Sequence, residues 1–329
     1  MSLPDFALVR PSSLEAAVEA LIRFGPEAQL VAGGTDLFPS MKQGLFAPRV
    51  LVDLKSVPAL DVLRFDRDEG LAIGAMTKIS HLAVSRDVAR SFPVLAEAAR
   101  GVASPLLRNM GTVGGNLCLD TRCIYYNQSQ WWRRANAFCL KHRGEICHVA
   151  PQGKRCHAAF CGDLAPALIA LGGEVEIAGP GGRRRIGLGE LYVEDGKAHL
   201  TLAVDELVVA VHVPADAPPS SYRKVRTREA IDFPLAGVAV ALEVAAGTLK
   251  KLRIAVTGTN SRPFLVEGTH ALVGKRIDET LLQALDKLVQ KQVQPMRTTI
   301  ASAHYRRLAA AALARRLVAK LAAEQAPAP

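Results

Sequence analysis

VAGGTD at residues 31–36 and RNMGTVGGNL at residues 108–117 are two glycine turns of one design. In the first, Gly33-Gly34 runs into Thr35; in the second, Thr112-Val113 precedes Gly114-Gly115-Asn116. A glycine pair leaves backbone N–H groups bare of side chains, so the chain can approach phosphate oxygens closely and can adopt positive φ. The threonines add hydroxyls and Asn116 an amide. Alone, either turn reads more readily as a tight hairpin than as a ligand site. Two in one chain favour a pyrophosphate clamp. Neither matches Gly-x-Gly-x-x-Gly, so a Rossmann dinucleotide site is not supported.

Working outward, Ser12-x-x-Glu15 has the form of a capping box, with Leu14, Val18, Leu21 and Ile22 at helical spacing and Gly25-Pro26 as the stop. A strand over 29–32 enters the first turn and another covers 50–54, which together make a small β–α–β-like unit. Strands over 62–65 and 71–75 and helices over 79–90 and 93–101 lead to the second turn. Beyond it come a helix at 165–171 and strands at 174–177 and 206–213. The run Ala217-Pro-Pro-Ser-Ser221 reads as a linker. Strands at 237–244 and 249–256 and helices at 278–292 and 299–324 follow. The last helix places Leu308, Leu313, Leu317 and Leu321 near one face and solvates its arginines on the other, and residues 325–329 should fray. The expected units are 1–55, 56–216 and 217–329.

A chain of 329 residues exceeds one compact core, and 49% apolar with 22% charged residues is an ordinary globular balance. The start, Met1 to Phe6, lacks a basic segment followed by an apolar one, and no apolar run is long enough for a bilayer. The expectation is a cytoplasmic protein with no membrane contact. The net charge of +10 admits an anionic cofactor or an acidic partner. Nucleic acid is not expected, because no helix-turn-helix, zinc-finger or aromatic RNA-binding pattern is present.

All six cysteines lie between Cys118 and Cys161. Structural disulfides would be spread to join distant elements, whereas six thiols in one segment point to a metal or a cluster. About forty residues without an apolar core of their own are either disordered or functional. Four thiolates, or three with His142, His148 or His157, could hold zinc, although the usual short Cys-x-x-Cys pairs are absent. Four thiolates could equally hold an iron–sulfur cubane. Spacing alone leaves both open. The segment carries seven Lys or Arg against Asp120 and Glu145, as a solvated basic loop or as a landing surface for an acidic protein.

VAGGTDLFPSMK (31–42), IGAMTKISHL (73–82), RNMGTVGGNL (108–117), GDLAPALIAL (162–171) and KVRTREAIDFPLAGVAVAL (224–242) together resemble the FAD-binding subunit of the xanthine oxidase, or molybdenum hydroxylase, family. The resemblance runs through the whole chain in order. It implies an α+β fold with a two-part FAD-binding domain of the PCMH/vanillyl-alcohol-oxidase-like type and a C-terminal sheet-and-helices domain of the CO dehydrogenase flavoprotein type. By that likeness Leu30, Val31, Ala32, Gly33, Gly34, Thr35, Asp36 and Leu37 line FAD with Thr112, Val113, Gly114, Gly115 and Asn116. Asp163 matches an acidic FAD-binding position, and would otherwise be a helix N-cap. Val102, Val208 and Lys224 fall where the family has further flavin neighbours; Lys224 would otherwise be a surface lysine.

Family members pass almost directly from the second glycine turn to the helix at Asp163. An insertion here is similar to that of the branch containing the β subunit of 4-hydroxybenzoyl-CoA reductase. Cys123, Cys139, Cys147 and Cys156 fit that branch's Cys-x15-Cys-x7-Cys-x8-Cys spacing for a 4Fe–4S cluster, with Cys118 and Cys161 as free thiols. No substrate-transforming residues are found in this chain. The resemblance implies a relay: reduced ferredoxin as donor, the cluster and FAD here, 2Fe–2S clusters and molybdenum cofactor on two partner subunits of a dimerised heterotrimer. The alternatives are an FAD subunit of another molybdenum hydroxylase sending electrons outward, and a zinc-stabilised assembly protein.

Overall fold

A computed structural model describes residues 2–326; the expected fraying at 327–329 lies outside them. The chain opens with β1 (Ala7–Val9), α1 (Leu14–Phe24), β2 (Ala28–Val31), α2 (Leu37–Lys42) and β3 (Val50–Asp53). The strands form a parallel sheet in the order β1-β3-β2. Helix α1 is capped by Ser13, whose Oγ accepts from the Ala16 N–H at 3.1 Å. The N-cap is therefore one residue later than the expected box, and its third position is Ala16 rather than Glu15. Leu14, Ala17, Val18 and Leu21 are buried, at the spacing of one helix face, and pack on Leu54, Val57, Leu207 and Val209. Ile22, one residue past that stripe, is exposed.

The second unit contains β4 (Leu63–Asp66), β5 (Gly70–Gly74), α3 (Ile79–Val84), α4 (Arg86–Ser91), α5 (Pro93–Gly101), α6 (Pro105–Arg108), α7 (Val113–Leu117), α8 (Gln130–Ala135), α9 (Leu164–Ala170), β6 (Glu174–Gly179), β7 (Gly182–Gly187) and β8 (Leu207–Val213). Its antiparallel sheet runs β4-β5-β8-β6-β7. The single helix expected over 79–90 is two, because Ser85 leaves helical geometry and its Oγ accepts from the Val88 N–H.

The third unit has β9 (Ser220–Val225), β10 (Ala236–Ala245), β11 (Thr248–Thr257), β12 (Phe264–Leu265), α10 (Glu279–Gln292) and α11 (Ala303–Glu324). Its antiparallel sheet runs β12-β11-β10-β9. Strand β10 is covered on both sides, which is why its sequence is continuously apolar rather than alternating. Val238, Val240 and Leu242 pack with Leu313, Leu317 and Leu321 of α11, while Ala239 and Ala241 join the core formed by α5 and α9. The small side chains let α9 lie close and tie the third unit to the second. Leu308, expected on that face, is exposed, and Arg306 is buried, donating to the carbonyls of Leu235, Met296 and Gly258. Ser220 and Ser221 are buried in β9, so the expected linker is shorter than its composition suggests. Among the described residues, no helix is long and apolar enough to cross a membrane.

Candidate functional site

The two glycine turns touch. A Cβ on Gly33 would stand 1.9 Å from the carbonyl oxygen of Met110, and one on Gly114 would stand 2.8 Å from the Ala75 side chain. Only glycine permits these approaches. The second turn is the start of α7 rather than a hairpin: Thr112 is its N-cap, and its Oγ1 accepts from the Gly115 N–H at 3.1 Å. Gly115 is exposed, and a Cβ there would meet only Thr112 within 4 Å. It leaves room in the wall of a cleft. The Asn116 Oδ1 accepts from the Leu164 N–H at 3.1 Å and so joins the turn to the start of α9.

That cleft, about 1140 Å³, is lined by Leu30, Val31, Ala32, Gly33, Gly34, Thr35, Asp36, Leu37, Val102, Thr112, Gly114, Gly115, Asn116, Asp163 and Val208. It exceeds the usual small-molecule pocket and has the size a dinucleotide needs. Two expected residues do not line it. Val113 is fully buried in the core behind the turn, its N–H donating to Thr77. Lys224 lies behind Asp163, its Nζ 2.9 Å from Oδ1 and 3.1 Å from Oδ2. Leu200, Leu202 and Val204 line the cleft and carry no signature that would have marked them. The bare glycine backbone, apolar walls and polar turn ends fit FAD.

Asp163 precedes α9, but its side chain makes no capping bond. It accepts from the Tyr222 hydroxyl at 2.6 Å and pairs with Lys224; both members of that pair are 5% exposed. Burial pushes the Asp163 carboxyl above the ordinary range, and Lys224 opposes that shift. Lys224 is therefore not a surface lysine. Tyr222 was not legible, because only the register of β9 brings it under Asp163.

The cysteine segment closes on itself through Arg122 and Ala159, whose backbones exchange hydrogen bonds of 2.7 and 2.8 Å. Three of the four spaced cysteines start turns through their carbonyls. Cys123 accepts from the N–H groups of Tyr126 and Asn127, Cys139 from those of His142 and Gly144, and Cys147 from that of Ala150. The Cys156 sulfur accepts from the Ala158 N–H at 3.4 Å. Cys123, Cys139, Cys147 and Cys156 all line one small chamber with Tyr125, Tyr126, Lys141 and His148. His142 and His157 do not line it, and burial lowers the basicity of both. Burial pushes the Cys123 and Cys156 thiols up to about 11, so the thiolates of a metal site would have to be created by the metal's charge. Among the described residues, no three of His, Cys, Asp or Glu form a set that could hold a single metal ion. Cys118 and Cys161 face the flavin cleft instead, as free thiols.

The chamber is braced against the first unit. Arg133 of α8 is fully buried and donates to the carbonyls of Gln43 and Gly44, at 3.3 and 2.9 Å, just past α2. Lys141 reaches Asp120 at 2.6 Å and the Gly196 carbonyl at 2.8 Å.

Comparisons with known proteins agree with this architecture. Residues 4–216 match the family described as the FAD binding domain in molybdopterin dehydrogenase, and residues 220–321 match the CO dehydrogenase flavoprotein C-terminal domain. The aldehyde oxidoreductase FAD-binding subunit of Escherichia coli is 34% identical over 75% of this chain and 79% of its own length. The carbon monoxide dehydrogenase medium chain of Hydrogenophaga pseudoflava is 31% identical over 85% of this chain and 84% of its own. A solved structure of carbon monoxide dehydrogenase from Hydrogenophaga pseudoflava superposes with a TM-score of 0.82 at 27% identity, covering 99% of this chain and 100% of that one. A two-part FAD-binding domain of the PCMH type, followed by this C-terminal domain, makes the chain a member of the FAD-binding medium-subunit family of the molybdenum hydroxylases, an oxidoreductase subunit that binds FAD.

Proposed function

We propose that this chain is the electron-transfer flavoprotein subunit of a 4-hydroxybenzoyl-CoA reductase, with FAD in the cleft and a 4Fe–4S cluster in the cysteine chamber. The observation that carries this reading is the convergence of Cys123, Cys139, Cys147 and Cys156, and no other cysteine, on one chamber. Four thiols and a single histidine in that chamber suit a cluster held by four thiolates. The proposed FAD contacts are Leu30 to Leu37, Val102, Thr112, Gly114 to Asn116, Asp163 and Val208. Val113 and Lys224 act from behind, through the packing of the turn and through Asp163. Bound there, FAD supplies the exchange between one-electron and two-electron chemistry.

The proposed partners are a molybdenum-cofactor subunit and a 2Fe–2S subunit in a dimerised, cytoplasmic heterotrimer. Of the segment's seven basic residues, Arg134, Arg143 and Lys154 are exposed, and these are the ones proposed to meet an acidic donor such as ferredoxin. The proposed division of the chain is 1–55, 56–216 and 217–329. Reductive dehydroxylation consumes two electrons and two protons, replaces the phenolic hydroxyl by hydrogen and releases water. A second reading, an FAD subunit passing electrons outward from an oxidised substrate, is favoured by the names of the relatives, which are aldehyde and carbon monoxide enzymes.

The assembled complex separates the two. Supplied with reduced ferredoxin and 4-hydroxybenzoyl-CoA, it is expected to form benzoyl-CoA, and a complex carrying Cys139→Ser is not. A complex that is inert in that assay but oxidises an aldehyde, a purine or carbon monoxide belongs to the second reading.

A further inference from the structure

Arg122 stands where three parts of the molecule meet. It directly precedes Cys123, and its backbone closes the base of the cysteine segment against Ala159. Its guanidinium pairs with Asp36 of the first glycine turn, 86 residues earlier, and lies 4.9 Å from the ring centroid of Phe233 in the third unit. Asp36, Arg122 and Phe233 all line the flavin cleft. Among the described residues the buried Arg122 Nε has no partner, and Asp36 and the aromatic ring are what hold the side chain. Its neighbour Cys123 is the one chamber cysteine that also lines the cleft.

We propose that Arg122 is a positioning residue that couples the two cofactor sites, so that filling the cysteine chamber tightens the flavin cleft. The inference rests on the proposed cluster reading. The segment from 118 to 161 contains few buried apolar residues besides its cysteines, and a metal centre supplies the order that a core would otherwise give. With the chamber filled, the backbone at Cys123 is fixed, and with it the guanidinium that fixes Asp36. With the chamber empty, FAD has to order that turn on binding. The coupling is reciprocal, so FAD in turn retains the cluster.

The test uses the full chain, purified anaerobically with its iron and then stripped by a chelator, with FAD affinity measured by equilibrium dialysis on both forms. The expected result is binding about tenfold tighter in the iron-loaded form. Arg122→Gln is expected to bring the ratio of loaded to stripped affinity down to about one. Arg122→Lys, which keeps the charge facing Asp36, is expected to retain part of the ratio. If Arg122→Gln does not fold, Asp36→Asn breaks the same pair and is read by the same ratio, whatever it does to the stripped form. Equal affinities of loaded and stripped wild type overturn the coupling, as does a variant that weakens both forms equally. A chain that takes up no iron overturns the cluster reading and the coupling together, whereas bound iron with a ratio of one overturns the coupling alone.

Discussion

Asp163 and Lys224 face each other with almost no access to water, and among the described residues Tyr222 supplies the other side-chain hydrogen bond to the carboxylate. Removing one member leaves the other charge buried and unpaired. Lys224→Met is therefore expected to lower stability by about 3–5 kcal/mol, read as a lower urea midpoint, together with weaker FAD binding. An unchanged midpoint would mean that the pair adds nothing to the fold. His199 provides a pH signature. It is buried beside Phe160, and burial pushes it from 6.5 down to about 4. Between those values the unfolded chain holds a proton that the folded chain refuses. This contribution is fully present above pH 6.5 and is lost as the pH falls toward about 4, costing about 3 kcal/mol in all. Melting curves across that window should show a shallower acid loss for His199→Phe than for the wild type; parallel curves would exclude the histidine as the cause. Neither Tyr222 nor His199 could be picked out from sequence, because a lone aromatic or histidine becomes informative only when the sheet register or a loop brings it to a site. Asp163 and Lys224 were legible only through family likeness, and the surroundings of Lys224 then differed from those of an ordinary exposed lysine.

Among the elements, the glycine turns carry the sharpest steric demand. Gly33→Ala would drive a methyl group into the Met110 carbonyl, forcing the two turns apart. Bound flavin should be lost while the circular dichroism spectrum stays near wild type. Gly181→Ala, with nothing within 4 Å of the added carbon, is the control and should keep its flavin. In the cysteine segment, Cys139→Ser is expected to lose iron and to retain FAD, bound about tenfold more weakly. Equal loss of both cofactors would mean that the segment is part of the fold of the flavin domain itself. Where hydrophobic period and caps were strong, element type was legible: α5 begins at a proline and ends at a glycine, as its sequence indicates. Strand β7, GRRRIG, was not legible, because it is an edge strand whose arginines face solvent and pair with Glu176 and Glu206, so no apolar alternation exists. Strand β9 was hidden by Pro218 and Pro219, whose composition resembles a linker although Ser220 and Ser221 immediately after them are buried. The meeting of the glycine turns through Gly33 and Met110 is a tertiary contact that no local pattern encodes.

Across the whole molecule, the flavin cleft lies where the parallel sheet, the antiparallel sheet and the loop around Phe233 converge, and the cysteine chamber shares the wall at Cys123. In the proposed reading, that arrangement sets the cluster chamber beside the cleft for FAD. The family match accounts for the cleft; the cysteine segment is what sets this chain's proposed role apart from flavin binding alone. Both cofactors are read by one measurement: an anaerobic preparation assayed for iron, acid-labile sulfide, zinc and flavin, with an absorption spectrum before and after dithionite. The account predicts about four iron, four sulfide and one FAD per chain, with bleaching of both chromophores on reduction. Flavin without iron, or one zinc in place of the iron, would contradict it.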